Sequence, residues 1–254
     1  MPGGWKFAAA SVIGTSHQKS AEGVCQDSHA VKFLDHASAF LGVVSDGAGS
    51  ASHAQIGSRL TCDFIVRAAE ACDPARLFTE SFARDTVEKL RGVLFEEADS
   101  QGLTIRDFAC TMLVAIVSDE RVSFWQVGDG AICVREAGSD QYRCVYWPEK
   151  GDYANVTFFI TDVRAQEETQ VSIRKAQIEE VAILSDGIER LALDFAAREA
   201  HTAFFGGLFP HMLHLAEGNS PELGKQIEGF LVSERVNKRT DDDKTLILAS
   251  RAHQ

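Results

Sequence analysis

The chain has 254 residues, 45% of them hydrophobic, which suffices for a core and excludes a disordered chain. Its formal net charge of −12 argues against general binding to nucleic acid or anionic membrane, because both need a basic surface. An acidic chain can still take a phosphorylated partner where metal ions supply positive charge locally.

The N-terminal segment MPGGWKFAAASVIG has no basic region followed by a long apolar one, so no signal peptide is read. Residues 5–13 can alternate faces and read as a strand. Residues 14–27, GTSHQKSAEGVCQD, are a polar loop ending in a carboxylate. Residues 28–33 read as a weak strand and Ala39–Ser45 as a buried one. Two helices follow. Residues 51–72 carry Ile56, Leu60, Phe64, Ile65 and Ala68 at helical spacing. Asp73-Pro74 then reads as the N-cap and first-turn proline of a second helix running to about Ala98, with Phe78, Phe82, Leu90 and Leu94 on one face. Residues 108–118, Arg121–Val127, Ala131–Glu136 and 141–147 are strand-like with short turns, as in antiparallel hairpins. The apolar run at 109–117 is far below the roughly 18–20 residues of a membrane span.

Residues 149–178 are polar and irregular. A buried strand at 181–185 leads into a helix at 187–200. A further helix spans 221–235, where Ser220-Pro221 repeats the cap signal, and a last strand spans 244–249. No linker divides the chain, so one domain over 1–254 is expected, with a mixed α+β layered fold rich in antiparallel sheet. Cys25, Cys62, Cys72, Cys110, Cys133 and Cys144 show no CxxC spacing, so buried thiols in a cytoplasmic protein are expected rather than zinc ligands or disulfides.

Five aspartates stand at the ends of strand-like runs: Asp27, Asp46, Asp129, Asp186 and Asp242. An isolated Asp-Gly at a strand end is ordinarily a turn residue. Five of them in one domain shift the reading, since strand ends in a layered sheet can converge on one rim. Carboxylates clustered there repel unless a cation sits between them. Oxygen-only donors suit hard ions such as Mg²⁺ or Mn²⁺.

The ordered set CQD, VVSDGAG, CTMLVAIV…VGDGAICV, VAILSDGIERL and DDDKTLIL resembles the metal-dependent protein phosphatases of the 2C type. It is most similar to their compact bacterial branch, whose members often begin with a GTSH…CQD segment. The resemblance covers nearly the whole chain, and the order of the motifs is its specific part. It implies a four-layer α-β-β-α sandwich of two mostly antiparallel sheets flanked by helices, with a metal centre at one end. It also implies hydrolysis of phosphoserine and phosphothreonine by a hydroxide bridging two Mn²⁺ or Mg²⁺ ions, without a nucleophilic Cys or Ser. By match to the motifs, Asp46 would bridge the metals and the Gly47 carbonyl would ligate one of them. Asp186 and Asp242 would complete the other, Asp27 would hold water in the outer shell, and Asp129 would serve a third, weaker site. There GDG replaces the usual GDS, with Gly130 in place of serine.

Two positions depart from the family pattern. Members commonly place a phosphate-clamping arginine five residues before the Asp27 position, where this chain has Glu22. In the same loop, His17 is the preferred substitute, with Lys19 near it. Ala48 stands where some eukaryotic members carry a histidine proton donor, leaving a metal-bound water or His53 for that role. Asp241 and Asp243 read as turn residues beside Asp242, with a one-place shift of the ligand left open. The segment 149–178 falls where the family has a variable flap, so contact with substrate is expected. Trp125, Trp147, Phe204 and Phe205 read as packing residues.

The implied partners are phosphorylated proteins, with a cognate Ser/Thr kinase and its targets, and neither nucleic acid nor membrane. The alternatives are a catalytically inactive regulatory module on the same fold and a phosphatase of small phosphate esters. A receiver-type signalling domain also clusters aspartates at strand ends, but it needs alternating β and α units rather than hairpins.

Overall fold

The computed structural model describes residues 4–19, 23–148 and 157–252. Strands β1 (Trp5–Val12), β2 (Ser28–Leu34) and β3 (Ala39–Ser45) precede helices α1 (Ala54–Glu70) and α2 (Glu80–Ser100). A meander follows: β4 (Met112–Val117), β5 (Arg121–Val127), β6 (Ala131–Glu136) and β7 (Tyr142–Cys144). Then come α3 (Ala165–Glu168), β8 (Gln170–Lys175), β9 (Ile178–Leu184) and α4 (Glu189–Ala192). A small hairpin of β10 (Leu193–Asp194) and β11 (Glu199–Ala200) leads to α5 (Thr202–Leu208). The chain closes with β12 (Gly218–Asn219), α6 (Pro221–Leu231), α7 (Glu234–Asn237) and β13 (Lys244–Arg251).

Two sheets carry the architecture. One has the order β12-β1-β13-β9-β6-β7, the other β2-β3-β4-β5-β8. All their pairings are antiparallel except that of β1 with β12. The alternation within β3 explains the layering. Leu41 and Val43 pack outward against Cys62, Ile65 and Leu90 of α1 and α2. Phe40 and Val44 point the other way, against Phe7, Ile183 and Ile247 of the facing sheet. In β13, Leu246 and Leu248 likewise face Phe205, Leu223 and Ile227 of α5 and α6. Strands covered on both faces carry apolar side chains at nearly every position, which is why LGVVS and VAILS read as continuous runs. The result is the four-layer α-β-β-α sandwich, with its central core between the sheets.

Register brings the aspartates to one end. Ser28 pairs with Ser45, so Asp27 and Asp46 leave β2 and β3 on the same rim. Leu184 pairs with both Leu246 and Ala131, so Asp186, Asp242 and Asp129 lie beyond neighbouring strand ends.

Several element expectations need correction. The second helix does not start at Asp73-Pro74. The Asp73 carboxylate accepts from the Ala75 N–H at 2.8 Å, closing a local turn, and Thr79 caps the helix by accepting from the Phe82 N–H. Residues 187–200 are not one helix. Asp194 accepts from the N–H groups of Ala196 and Ala197, and Arg198 has φ 56°, so the chain turns back as the β10–β11 hairpin. Residues 170–175, inside a segment expected to be irregular, form an edge strand on β5. Residues 141–147 yield only the short β7, and the expected 221–235 helix is two helices separated at Val232 and Ser233.

Candidate metal centre

Asp27 is the most enclosed of the strand-end aspartates, at 5% exposure. Its Oδ2 accepts from the Ser185 hydroxyl at 2.7 Å and from the Thr245 hydroxyl at 2.8 Å. Those donors favour the carboxylate, but burial outweighs them and pushes its pKa up to about 7. Its Oδ1 is buried and has no hydrogen-bond partner among the described residues. Asp46 is held by its backbone: its N–H donates to the Thr111 hydroxyl at 3.0 Å and its carbonyl accepts from the Thr111 N–H at 2.8 Å. Burial raises the Asp46 pKa well above the carboxylate range, and repulsion from Asp27 and then Asp186 adds to it. Asp46 therefore lies between the charges of Asp27 and Asp186. Asp186 and Asp242 share the walls of a cleft of about 250 Å³.

Glycines set the spacing of these segments. A Cβ at Gly187 would lie 1.9 Å from the Asp243 carbonyl oxygen, so the turn after β9 presses directly on the backbone before β13. A Cβ at Gly14 would meet the Asp241 and Asp242 carbonyl oxygens at 2.4 Å. At Gly47 it would meet Ala54 Cβ and the Gln26 carbonyl oxygen at 2.8 Å. Gly187 thus does more than open a helix: it allows the Asp186 and Asp242 segments to touch.

The same interlocking places His17. Ser16 donates through both N–H and hydroxyl to the Asp241 carbonyl. Asp243, at 2% exposure, accepts from the N–H groups of Gly14 and Gln26 at 2.6 Å each. Its Oδ2 also lies 3.0 Å from His17 Nδ1. A Cβ at Gly49 would stand 4.0 Å from His17 Nε2, so the ring edge is turned toward the loop that follows Asp46. Comparison with known proteins settles the ancestry of the chain. A family model described as Protein phosphatase 2C matches residues 13–231. The chain belongs to the protein phosphatase 2C family.

It is an enzyme of that family, a protein phosphatase. Serine/threonine-protein phosphatase 3 of Escherichia coli (strain K12) is 35% identical over 250 residues, covering 96% of this chain and 98% of that protein. The serine/threonine phosphatase Stp1 from Staphylococcus aureus has the same fold at 16% identity, with a TM-score of 0.66 over 96% of this chain and 94% of that one. The catalytic domain of PstP, solved in complex with two manganese ions, matches at 14% identity and a TM-score of 0.64, over 98% and 99%.

Within this 2C phosphatase, the remaining predicted positions separate. Asp129 follows β5, and its Oδ2 accepts from the Thr157 hydroxyl at 3.1 Å. The first described residue of the expected flap therefore reaches the rim, while residues 149–156 and Glu22 lie outside the described residues. His53 stacks on Phe108 and its Nδ1 pairs with the Ser52 hydroxyl, a packing role at the start of α1. Ala48 is buried, with its N–H on the Ala109 carbonyl.

Several groups escaped sequence reasoning. Asp243 looked like a turn residue. Ser185 and Thr245 carried no motif of their own. Glu189, at 2% exposure, accepts from the Gly130 N–H at 2.8 Å and so braces the turn beside Asp129. Lys244 is fully buried, donating to Asn237 Oδ1 at 3.0 Å and to the Asp242 carbonyl at 3.2 Å. Desolvation lowers its pKa, and Asp243 and Asp242 oppose that shift.

The donors suit a hard divalent cation. Asp27 Oδ1 is an orphaned buried oxygen, and carboxylates crowd it without a guanidinium between them. Among the described residues, no three His, Cys, Asp or Glu side chains close on one point as a ready cage. An incomplete oxygen set is the kind that Mg²⁺ and Mn²⁺ complete with water and substrate phosphate.

Proposed function

We propose that this 2C-family enzyme hydrolyses phosphoserine and phosphothreonine in proteins with the help of two divalent ions, Mn²⁺ or Mg²⁺. The observation that carries the reading is Asp46 at the sandwich end, half-buried and repelled by both the buried Asp27 and the half-buried Asp186. Asp46 and the Gly47 carbonyl would hold the ions with Asp186 and Asp242, Asp27 would act from the outer shell, and Asp129 would serve a third. Such ions, when bound, supply the Lewis acidity that generates hydroxide near neutral pH and offsets charge on the phosphoryl oxygens.

The protein groups do the positioning. Ser185 and Thr245 fix Asp27 Oδ2 and leave the buried Oδ1 without a hydrogen-bond partner among the described residues. Thr111 holds the Asp46 backbone from both sides. His17, set by Asp243, takes the phosphate-binding place that an arginine fills elsewhere in the family. Ala48 has no proton to give and His53 is engaged with Ser52, so the leaving oxygen draws its proton from solvent. Phosphoproteins made by a Ser/Thr kinase would be the natural substrates. No helix among the described residues is long and apolar enough to cross a membrane. The free thiols suit a reducing cytoplasm.

The test is direct. Chelator-stripped protein should hydrolyse neither p-nitrophenyl phosphate nor a phosphothreonine peptide, and Mn²⁺ should restore both. Asp46→Asn should lower kcat by roughly 10²-fold or more and reduce the Mn²⁺-induced rise in Tm. Mn²⁺ binding without hydrolysis of either substrate would instead support the regulatory module.

A further inference from the structure

A second cavity, of about 600 Å³, opens between α4, α5, α6 and α7 on the helical face of the β1-containing sheet. That volume lies within the ~300–1,000 Å³ range of sites that bury a drug-sized ligand. Arg190, Arg235, Arg239, His201 and His211 line it, and no Asp or Glu does. For a chain of net charge −12 this is an unusual wall. Elsewhere Arg84, Arg135, Arg143, Arg174 and Arg251 are paired with carboxylates, while Arg59, Arg67 and Arg106 are exposed singly, so what marks this wall is the convergence of three guanidinium groups on one groove. Arg190, Arg235 and Arg239 are exposed, and none of them makes an ion pair among the described residues. Asp194 acts electrostatically on His201, but its Oδ1 accepts from Ala196 and Ala197.

The floor is apolar. Phe204 and Phe230, with ring centroids 6.2 Å apart, stand above Ile227 and Leu248. The groove also adjoins the cleft lined by Asp186 and Asp242, since Arg190, Leu191 and Arg239 stand on the wall of both. A segment flanking the phosphorylated residue would reach one while the phosphate sits at the other. Cationic walls over an apolar floor complement anionic groups beside an aromatic or aliphatic side chain.

We propose that this groove binds the substrate protein itself, through an acidic stretch with an apolar anchor flanking the phosphorylated residue. This rests on the phosphoprotein phosphatase reading and adds a sequence preference to it. The guanidinium groups would take Asp, Glu or further phosphorylated side chains, and the Phe204–Phe230 wall would take the anchor.

The test uses the Mn²⁺-loaded full chain and two phosphothreonine peptides. Both carry Leu near the phosphothreonine; one has Asp and Glu on both flanks, the other Asn and Gln. The acidic peptide is expected to have a kcat/KM higher by about threefold or more, and added salt should erode that ratio. Arg235→Glu should abolish the ratio and Arg235→Gln should halve it, roughly, with unchanged thermal unfolding of this exposed site confirming the fold. A wild-type ratio below about threefold, or one that Arg235→Glu leaves intact, overturns the proposal. A dimer that Arg235→Glu dissolves would assign the groove to a second copy of the chain and overturn it too. Failure to hydrolyse either peptide or p-nitrophenyl phosphate would instead reject the phosphatase reading. Anisotropy of a fluorescein-labelled acidic peptide lacking phosphate reads the groove separately from catalysis. Its binding should weaken in Arg235→Glu, and no binding to the wild type counts against the groove.

Discussion

Asp243 gathers groups from a distant part of the chain: the N–H groups of Gly14 and Gln26, 229 and 217 positions away, and the His17 ring. Asp243→Ala would strand the buried Gly14 N–H, costing about 1–3 kcal/mol, together with the half-buried Gln26 N–H at a smaller cost. Asp243→Asn, with one oxygen left to accept, should cost less in urea denaturation. Because His17 loses its brace in both, KM for p-nitrophenyl phosphate should rise. His17→Ala alone should raise KM more than it lowers kcat, with little change in stability. An unchanged KM in His17→Ala would discard its phosphate-binding role. Asp27 makes a pH prediction. In the metal-free fold it keeps its proton to about pH 7, against an ordinary value of 3.8, so the native state binds more protons across that window. Its contribution to stability therefore falls as pH rises from 3.8 to about 7, by up to ~1.4 kcal/mol per pH unit. Chelator-treated Asp27→Asn should lack that decline, so its advantage over wild type should be larger at high pH than at low pH.

Elements meet at this site through close backbone approach. The stop of β9 at Ser185-Asp186-Gly187 and the start of β13 at Asp243-Lys244 touch because Gly187 has no side chain. Gly187→Ala would drive a Cβ to within 1.9 Å of a carbonyl oxygen, and backbone on both sides would have to move. We expect a loss of about 1–3 kcal/mol, together with weaker Mn²⁺ binding by calorimetry. Gly92→Ala, with open space around its Cβ position in the middle of α2, is the control and should be neutral or stabilising. Buried strands were legible from sequence because both faces are covered, so their residues form unbroken apolar runs. Residues 187–200 misread as a helix because apolar spacing over so short a span fits a turn of helix and a hairpin alike. The Asp194 turn that decides between them has no periodic signal. Edge strands β7, β8 and β12 were missed in whole or part because a strand paired on one side alternates weakly.

At the scale of the molecule, charge is unevenly arranged. The chain is acidic overall, carries crowded carboxylates at one end of the sandwich, and sets arginines that make no ion pair among the described residues in the groove beside them. That polarity would orient a phosphorylated, acidic segment with its phosphate at the metal rim. Close to the carboxylates, the buried Lys244 donates to the Asp242 carbonyl, and Asp243 and Asp242 oppose the lowering of its pKa by burial.

Sequence alone determined the layered α+β class, the family, and the strand-end aspartates. Those properties are written in local runs and in the order of short motifs, which survive without knowledge of contacts. Only tertiary structure decided which side chains act together. Asp27 meets Ser185 and Thr245 across 158 and 218 positions, and Asp243 meets His17 across 226 (243 − 17). The arginine groove likewise joins α4, α5, α6 and α7, none of which carries it alone. Such neighbours are set by strand register and by the fit of glycines against backbone, and those forces act between segments rather than along them.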